Sequence, residues 1–277
     1  MSVLEFVETN FRKVKFIMIL PAIIILLIIL LLLLNQGKLS VETYIEIQKN
    51  LFFYINKQLS QFQNIQFNIT QLGNPLILFS LLTIFIIYVP QLWAAILTST
   101  IISALLTFVL KELFDVPRPA AIFNQDSFMI IGKIHTGYAS LPSGHSVTAF
   151  TAITLILFGF MPKAFMSKIA FITFILINGI FISFSRVGVG AHFPLDTIIG
   201  CSLGYMVALI SIILINKVNL GIWADYKKYH TIIMLLLALW SCAIINEILI
   251  NNLLILYFSL FSIIITLYLM IKIHVKK

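Results

Sequence analysis

Charge is scarce in this sequence: 10% of its 277 residues are Asp, Glu, Lys or Arg, while 61% are hydrophobic. Soluble globular domains carry about 25% charged residues, so the shortage excludes that class and describes an integral membrane protein. Strict alternation of polar and apolar residues is also missing. Membrane β-strands are short alternating segments, whereas the apolar runs here are long and uninterrupted, so spanning helices are predicted. Cysteine is nearly absent. Cys201 and Cys242 both fall inside apolar runs without metal-ligand spacing, which argues against a disulfide framework or a zinc site. Linkers rich in Gly, Ser or Pro, internal repeats and low-complexity stretches are lacking, so a single membrane domain over 1–277 is expected. The net charge of +8 is not gathered on a basic face with interleaved aromatics, and nucleic acid is not expected as a partner.

Eight apolar runs are present, at 16–34, 75–89, 92–110, 147–160, 169–184, 195–215, 231–245 and 253–271. The first is longer than a signal-peptide core and has no small-residue cleavage site, so a retained span is predicted. Pro90 and Pro162 punctuate turns between runs. The expected fold is an all-α integral membrane helical bundle of about eight spans. The stretch 35–73 is more polar, with Phe52, Ile55, Leu59 and Phe62 at helical spacing between Asn, Lys and Gln. That pattern fits a helix lying in the membrane interface near a site, and equally a connector packed on the bundle. Within it, Asn68-Ile-Thr70 matches a glycosylation sequon as a bare triplet.

Three polar clusters stand at the edges of these runs: Lys111 with Arg118-Pro119, then Pro142-Ser143-Gly144-His145, then Ser185-Arg186 with His192 and Asp196. With the N-terminus in the cytoplasm, eleven of the 18 lysines and arginines fall in cytoplasmic segments and seven on the other side. Three of those seven belong to the clusters. The positive-inside rule therefore predicts that all three clusters share the external face. Ionisable side chains concentrated beside a bilayer point to function.

Lys111, Arg118 and Arg186 stay cationic at neutral pH, and arginine forks suit phosphate oxygens. Pro142-Ser143-Gly144 leads into a helix beginning near His145, whose N-terminal N–H groups and dipole also favour an anion. His192 and Asp196 are four residues apart, a spacing that lets the carboxylate accept from one ring nitrogen and leaves the other as nucleophile or base. His145 can give a proton to a leaving oxygen. Taken singly, each residue has a plainer account: a lysine that snorkels, an aspartate at a helix N-terminus, a histidine at a membrane edge. His135, His230 and His274 are assigned that plainer role. A divalent metal on His145, His192 and Asp196 is disfavoured by three neighbouring fixed cations. A serine hydrolase built on Ser143 lacks the nucleophile-elbow pattern.

The clusters resemble the three-part signature of the type 2 phosphatidic acid phosphatase superfamily. The chain shows Lys111-Glu-Leu-Phe-Asp-Val-Pro-Arg118-Pro119, Pro142-Ser143-Gly144-His145, and Ser185-Arg186-Val-Gly-Val-Gly-Ala-His192-Phe-Pro-Leu-Asp196. Residue types, spacing and order all match, with motifs at 111–119, 140–146 and 185–196. The resemblance implies a six-helix phosphatase core over 74–216; the external interfacial segment expected over 35–73 and the two extra C-terminal spans expected over 231–272 lie outside what it covers. It implies that His192 attacks phosphorus to form a phosphohistidine, that Asp196 orients it, and that His145 protonates the departing group and then serves the attacking water as base. Lys111, Arg118, Ser143, Gly144 and Arg186 would hold the phosphoryl oxygens. No metal or cofactor is implied. The expected substrate is a lipid phosphate or pyrophosphate, with undecaprenyl pyrophosphate or a lipid A phosphate favoured, met at the external face of a bacterial cytoplasmic membrane. A lipid phosphotransferase using the same phosphoenzyme is the rival within enzymes. A non-enzymatic carrier or receptor of phosphorylated lipid is the rival outside them, and it has no need of the His192–Asp196 pair.

Overall fold

The computed structural model describes residues 2–37, 39–218 and 227–275. Lys38, Lys276 and Lys277, counted in the charge tally, lie outside the described residues. The helices in chain order are α1 (Val3–Phe11), α2 (Leu20–Leu34), α3 (Val41–Leu59), α4 (Gln63–Gln71), α5 (Pro75–Leu81), α6 (Phe85–Tyr88), α7 (Pro90–Phe114), α8 (Pro119–Ile122), α9 (Gly144–Gly159), α10 (Phe165–Gly188), α11 (Pro194–Val218), α12 (Lys227–Asn251) and α13 (Leu254–Val275). Among the described residues there is no strand, and six helical stretches are long and apolar enough to cross a membrane. Of the eight runs expected to cross, that at 147–160 is the shorter, 16-residue α9 and that at 75–89 is the pair α5–α6. The protein is an all-helical, multi-pass membrane protein.

Local signals set the helix ends. Ser2 and Glu5 form a reciprocal capping box on α1, Ser40 accepts from Thr43 N–H at the start of α3, and Asn74 accepts from Leu76 N–H ahead of Pro75. At the other end of α7, Asp115 takes a left-handed conformation with φ of 44° and stops the helix just after Lys111.

The run at 75–89 is not one continuous helix but two short ones broken at 82–84. Hydroxyls inside it explain the break. Ser80 Oγ donates to Ile77 O at 2.6 Å and Thr83 Oγ1 to Ser80 O at 2.9 Å, drawing carbonyls away from the helical ladder. Non-helical backbone at membrane depth survives only where protein covers it, and the C-terminal hairpin provides the cover. Trp240 Nε1 donates to Leu76 O at 2.9 Å, Ser259 Oγ to Ile77 O at 3.3 Å, and Ser262 Oγ to Leu81 O at 3.1 Å. Thr83 and Thr266 hydroxyls meet at 3.0 Å. The last two spans are thus a splint for a broken helix.

At the centre, α11 packs against α9, α7, α10, α2 and α3. Its contact with α9 runs through Gly200 and Gly204, one helical turn apart: a Cβ at Gly200 would lie 2.8 Å from Ser143 O, and one at Gly204 would run into Val147 O. Small residues four apart allow such backbone approach between membrane helices. Thr151 Oγ1 donates to Gly204 O at 3.2 Å across the same seam. Away from that end, α1 lies under α9, where buried Asn10 donates to Gly159 O and Met161 O, both at 3.1 Å. The N-terminal residues of α9 and α11 are therefore fixed side by side.

Candidate active site

The three motifs converge at the end of the bundle where α7 and α10 finish and α9 and α11 begin. Lys111 stands in the last turn of α7 and Arg118 at the N-cap of α8. Ser143 caps α9, its Oγ accepting from Ser146 N–H at 3.4 Å and from Ser146 Oγ at 3.0 Å. Its own hydroxyl proton remains free to donate. Ser143 N–H donates to Asp196 O at 3.1 Å, tying the two helix starts together. A Cβ added at Gly144 would come no nearer than 4.0 Å to Lys111 Nζ, so the bare glycine leaves room between the ammonium and the start of α9. His145 follows, its Cβ only 2.6 Å from where a side chain at Gly73 would begin, so the broken span backs directly onto it.

Arg186 lies in the last turn of α10, buried, with Nη1 donating to Thr70 Oγ1 at 2.8 Å. The chain then turns through Gly190 at φ of 76°, with Ala191 N–H donating to Arg186 O at 3.0 Å. That turn delivers buried His192 to Arg118, whose Nη1 is 3.5 Å from His192 Nε2. A guanidinium only donates, so Nε2 carries the lone pair and the proton is assigned to Nδ1. Burial, followed by the nearby charges of Arg118, Arg186 and Lys111, holds the His192 pKa well below its ordinary value. The ring is therefore neutral at neutral pH, with an unprotonated nitrogen facing the cations.

Asp196 is fully buried in the first turn of α11 and carries three donors: Tyr44 OH at 2.7 Å on Oδ1, with Ser140 Oγ at 2.6 Å and Phe193 N–H at 2.9 Å on Oδ2. The four-residue spacing predicts a direct hydrogen bond to His192. The structure has Nδ1 3.4 Å from Oδ2, in ion-pair range but with no well-formed hydrogen bond. The Ser140 main chain is its other neighbour. Oδ2 already accepts twice, which explains the longer separation; such contacts often tighten only with substrate in place.

Sequence reasoning did not find Tyr44 and Ser140. Tyr44, Gln48, Phe52 and Asn56 form the buried stripe of α3 at a four-residue interval. Each meets the segment around His192. Gln48 Oε1 accepts from Leu195 N–H at 2.8 Å, the Phe52 ring lies 5.4 Å from that of Phe193, and Asn56 Nδ2 donates to Val187 O and Gly188 O at 3.1 Å. The i, i+4 repeat was visible in the sequence; that its polar members face inward was not. Burial, and secondarily the Asp196 charge, hold the Tyr44 phenol well above its ordinary pKa, so it remains a donor. His135, assigned a plain role from sequence, lies in the same cationic field: burial first, then Arg118, Arg186, Lys133 and Lys111, push it down to about 4. Asn68 and Thr70 of the sequon triplet are engaged internally, with Ile255 N–H and Arg186. Among the described residues no three His, Cys, Asp or Glu side chains converge as a metal-holding group.

Residues 92–220 match the PAP2 superfamily, and all three motifs fall inside that stretch. Over that stretch, a little under half of its length, the chain is similar to the PAP2 superfamily. Within the matched stretch, the site residues predicted from sequence are distributed over α7, α9, α10 and α11 and their connections, while Tyr44 reaches in from outside it. The chain is similar to the lipid A 1-phosphatase of Rhizobium etli, 32% identical over 137 residues covering 48% of this chain and 55% of that protein. It is also similar to the lipid A 1-phosphatase of Rhizobium johnstonii, at 31% identity over 48% and 52%. The matched part thus spans about half the length of these curated relatives. The crystal structure of Aquifex aeolicus LpxE aligns with 28% identity and a TM-score of 0.46, covering 60% of this chain and 94% of that one.

Proposed function

We propose that this protein is a membrane lipid phosphatase that hydrolyses a headgroup phosphate monoester through a phosphohistidine on His192. The observation that carries the reading is the neutral His192 with Nε2 turned toward Arg118, backed by a buried Asp196 that bears three hydrogen bonds. A phosphoryl group beside Lys111, Arg118 and Arg186 would place phosphorus in front of Nε2. The N–P bond forms as the P–O bond to the lipid breaks, and His145 delivers a proton to the departing oxygen. An arriving phosphate adds negative charge, which favours the protonated form of His145 needed for that step. Water then attacks phosphorus, giving its proton to His145, and inorganic phosphate leaves with His192 restored. The fixed cations stabilise the charge moving onto the equatorial oxygens in both steps.

Names of the similar proteins favour a lipid A phosphate over undecaprenyl pyrophosphate as substrate. The charge tally supports a cytoplasmic membrane with the histidine end facing the periplasm or exterior. The test is phosphate release by purified protein from lipid A phosphate, undecaprenyl pyrophosphate and phosphatidic acid, with His192→Ala alongside. Release from lipid A phosphate that disappears in His192→Ala, together with acid-labile label on the wild-type protein, is the expected result. Release that persists in His192→Ala overturns the mechanism. Transfer of label to a second lipid without free phosphate makes the protein a phosphotransferase, and tight binding without turnover makes it a carrier.

A further inference from the structure

A cavity of about 930 Å³ opens between α1, α2, α9, α10 and α11, and its polar mouth lies at the end of the bundle away from His192. Apolar side chains such as Leu157, Ile172, Leu176 and Ile180 form its walls. Along α10 its lining extends from Lys168 to Phe184, on the order of 24 Å at about 1.5 Å per residue. That length is most of a hydrocarbon core of about 30 Å.

The mouth carries Lys13, Lys163 and Lys168, and no carboxylate lines the cavity. Lys13 Nζ donates to the neutral Asn10 Oδ1 at 3.3 Å, which holds the ammonium at the rim. Among the described residues none of these three lysines is in an ion pair. Three uncompensated ammonium groups above a slot lined by aliphatic side chains have the complement of an acidic headgroup on a hydrocarbon chain. Basic pockets between membrane helices bind lipid headgroups on this principle.

We infer that this crevice is a binding site for an anionic phospholipid of the leaflet opposite the histidine site, its acyl chain along α10 and its phosphate on Lys13, Lys163 and Lys168. The site is separate from the phosphatase reading, because it needs neither histidine and its charged mouth opens at the other end of the same helices. A lipid there fills the space between α10 and its neighbours α2 and α11, and so steadies the helix whose last turn bears Arg186.

The test uses the full chain, delipidated in detergent and titrated with phosphatidylglycerol or phosphatidylcholine of identical chains, with lipid counted by native mass spectrometry and thermal unfolding followed in parallel. Wild type should prefer phosphatidylglycerol and gain thermal stability from it. The triple variant Lys13→Gln, Lys163→Gln, Lys168→Gln should lose about a hundredfold in affinity for phosphatidylglycerol, with phosphatidylcholine unaffected. Leu176→Trp, which fills the slot, should lose both lipids. An unchanged preference in the triple variant, or unchanged binding to Leu176→Trp, overturns the proposal. Equal protection by inorganic phosphate alone would make the mouth a simple anion site. Competition between phosphatidylglycerol and the lipid phosphate substrate, with a raised KM in Leu176→Trp, would make the crevice a channel for substrate chains; either outcome overturns it.

Discussion

Tyr44 lies outside the stretch that matches the PAP2 superfamily, on a helix that sequence alone could not place, yet it holds the carboxylate behind the proposed nucleophile. Replacing it with phenylalanine keeps the buried ring and removes only the hydroxyl that donates to Asp196 Oδ1 at 2.7 Å. The other two donors, Ser140 Oγ and Phe193 N–H, both serve Oδ2. Tyr44→Phe therefore leaves Oδ1 buried without its hydrogen-bond donor rather than weakening a shared bond. Hydrogen bonds to charged groups contribute about 1.5–3 kcal/mol. If that whole difference acts on the placement of His192 in the transition state, at about 1.4 kcal/mol per tenfold the rate falls by roughly ten- to a hundredfold.

The assay is steady-state phosphate release, with kcat and KM resolved. Tyr44 does not stand among the cations that would touch phosphate, so the loss should fall on kcat and leave KM within about twofold. Tyr54→Phe, at an exposed position of the same helix, is the control and should behave as wild type. Ser140→Ala should also lower kcat. The double variant should lose less or more than the product of the two, because both hydroxyls act on one carboxylate and neighbouring sites are not additive. A folded Tyr44→Phe protein with kcat within twofold of wild type would refute the positioning argument. So would a loss confined to KM.

Two glycines in the site region should respond oppositely to alanine. In Gly144→Ala the new methyl meets nothing nearer than Lys111 Nζ at 4.0 Å, so thermal stability should hold while kcat/KM drops, the methyl standing where a phosphoryl oxygen would approach. Gly204→Ala drives a methyl into Val147 O, and overpacking of this kind costs about 1–3 kcal/mol or more, read as a lowered unfolding temperature; wild-type stability there would contradict the close α9–α11 seam. His135 should titrate near its depressed value of about 4 by histidine NMR and move toward about 6.5 when vanadate neutralises the cations. Below about 6.5 the unfolded chain takes up a proton that the folded chain refuses until about 4, so the stability set by His135 rises with pH across that window and falls as pH drops through it. A His135→Asn protein with an unchanged pH–stability slope between those values would contradict this account.

The parts of the site legible in sequence were those whose chemistry is carried by residue type at short range. Arg118 beside Pro119, the Ser143-Gly144 turn before His145, and the four-residue step from His192 to Asp196 each announce a local geometry, and the structure places them at one end of one bundle. What could not be read was every partner supplied from far along the chain. Asp196 takes its Tyr44 donor from 152 positions away and its Ser140 donor from 56 away, and Arg186 meets Thr70 across 116. A polar residue on an amphipathic helix looks the same in sequence whether it faces water or a buried carboxylate. The four-residue period of Tyr44, Gln48, Phe52 and Asn56 shows that these positions share a face; only packing on α10 and α11 turns that face inward. The broken span is the same problem seen in the backbone. Ser80 and Thr83 can open a helix, but a break in a membrane is stable only with outside donors. Those donors, Trp240, Ser259 and Ser262, sit in the two spans for which the motif logic offered no role. The chain beyond the signature motifs thus supports the site from both sides: α3 holds Asp196 and the segment that carries His192, and the C-terminal hairpin splints the break in the span whose Gly73 edge backs onto His145.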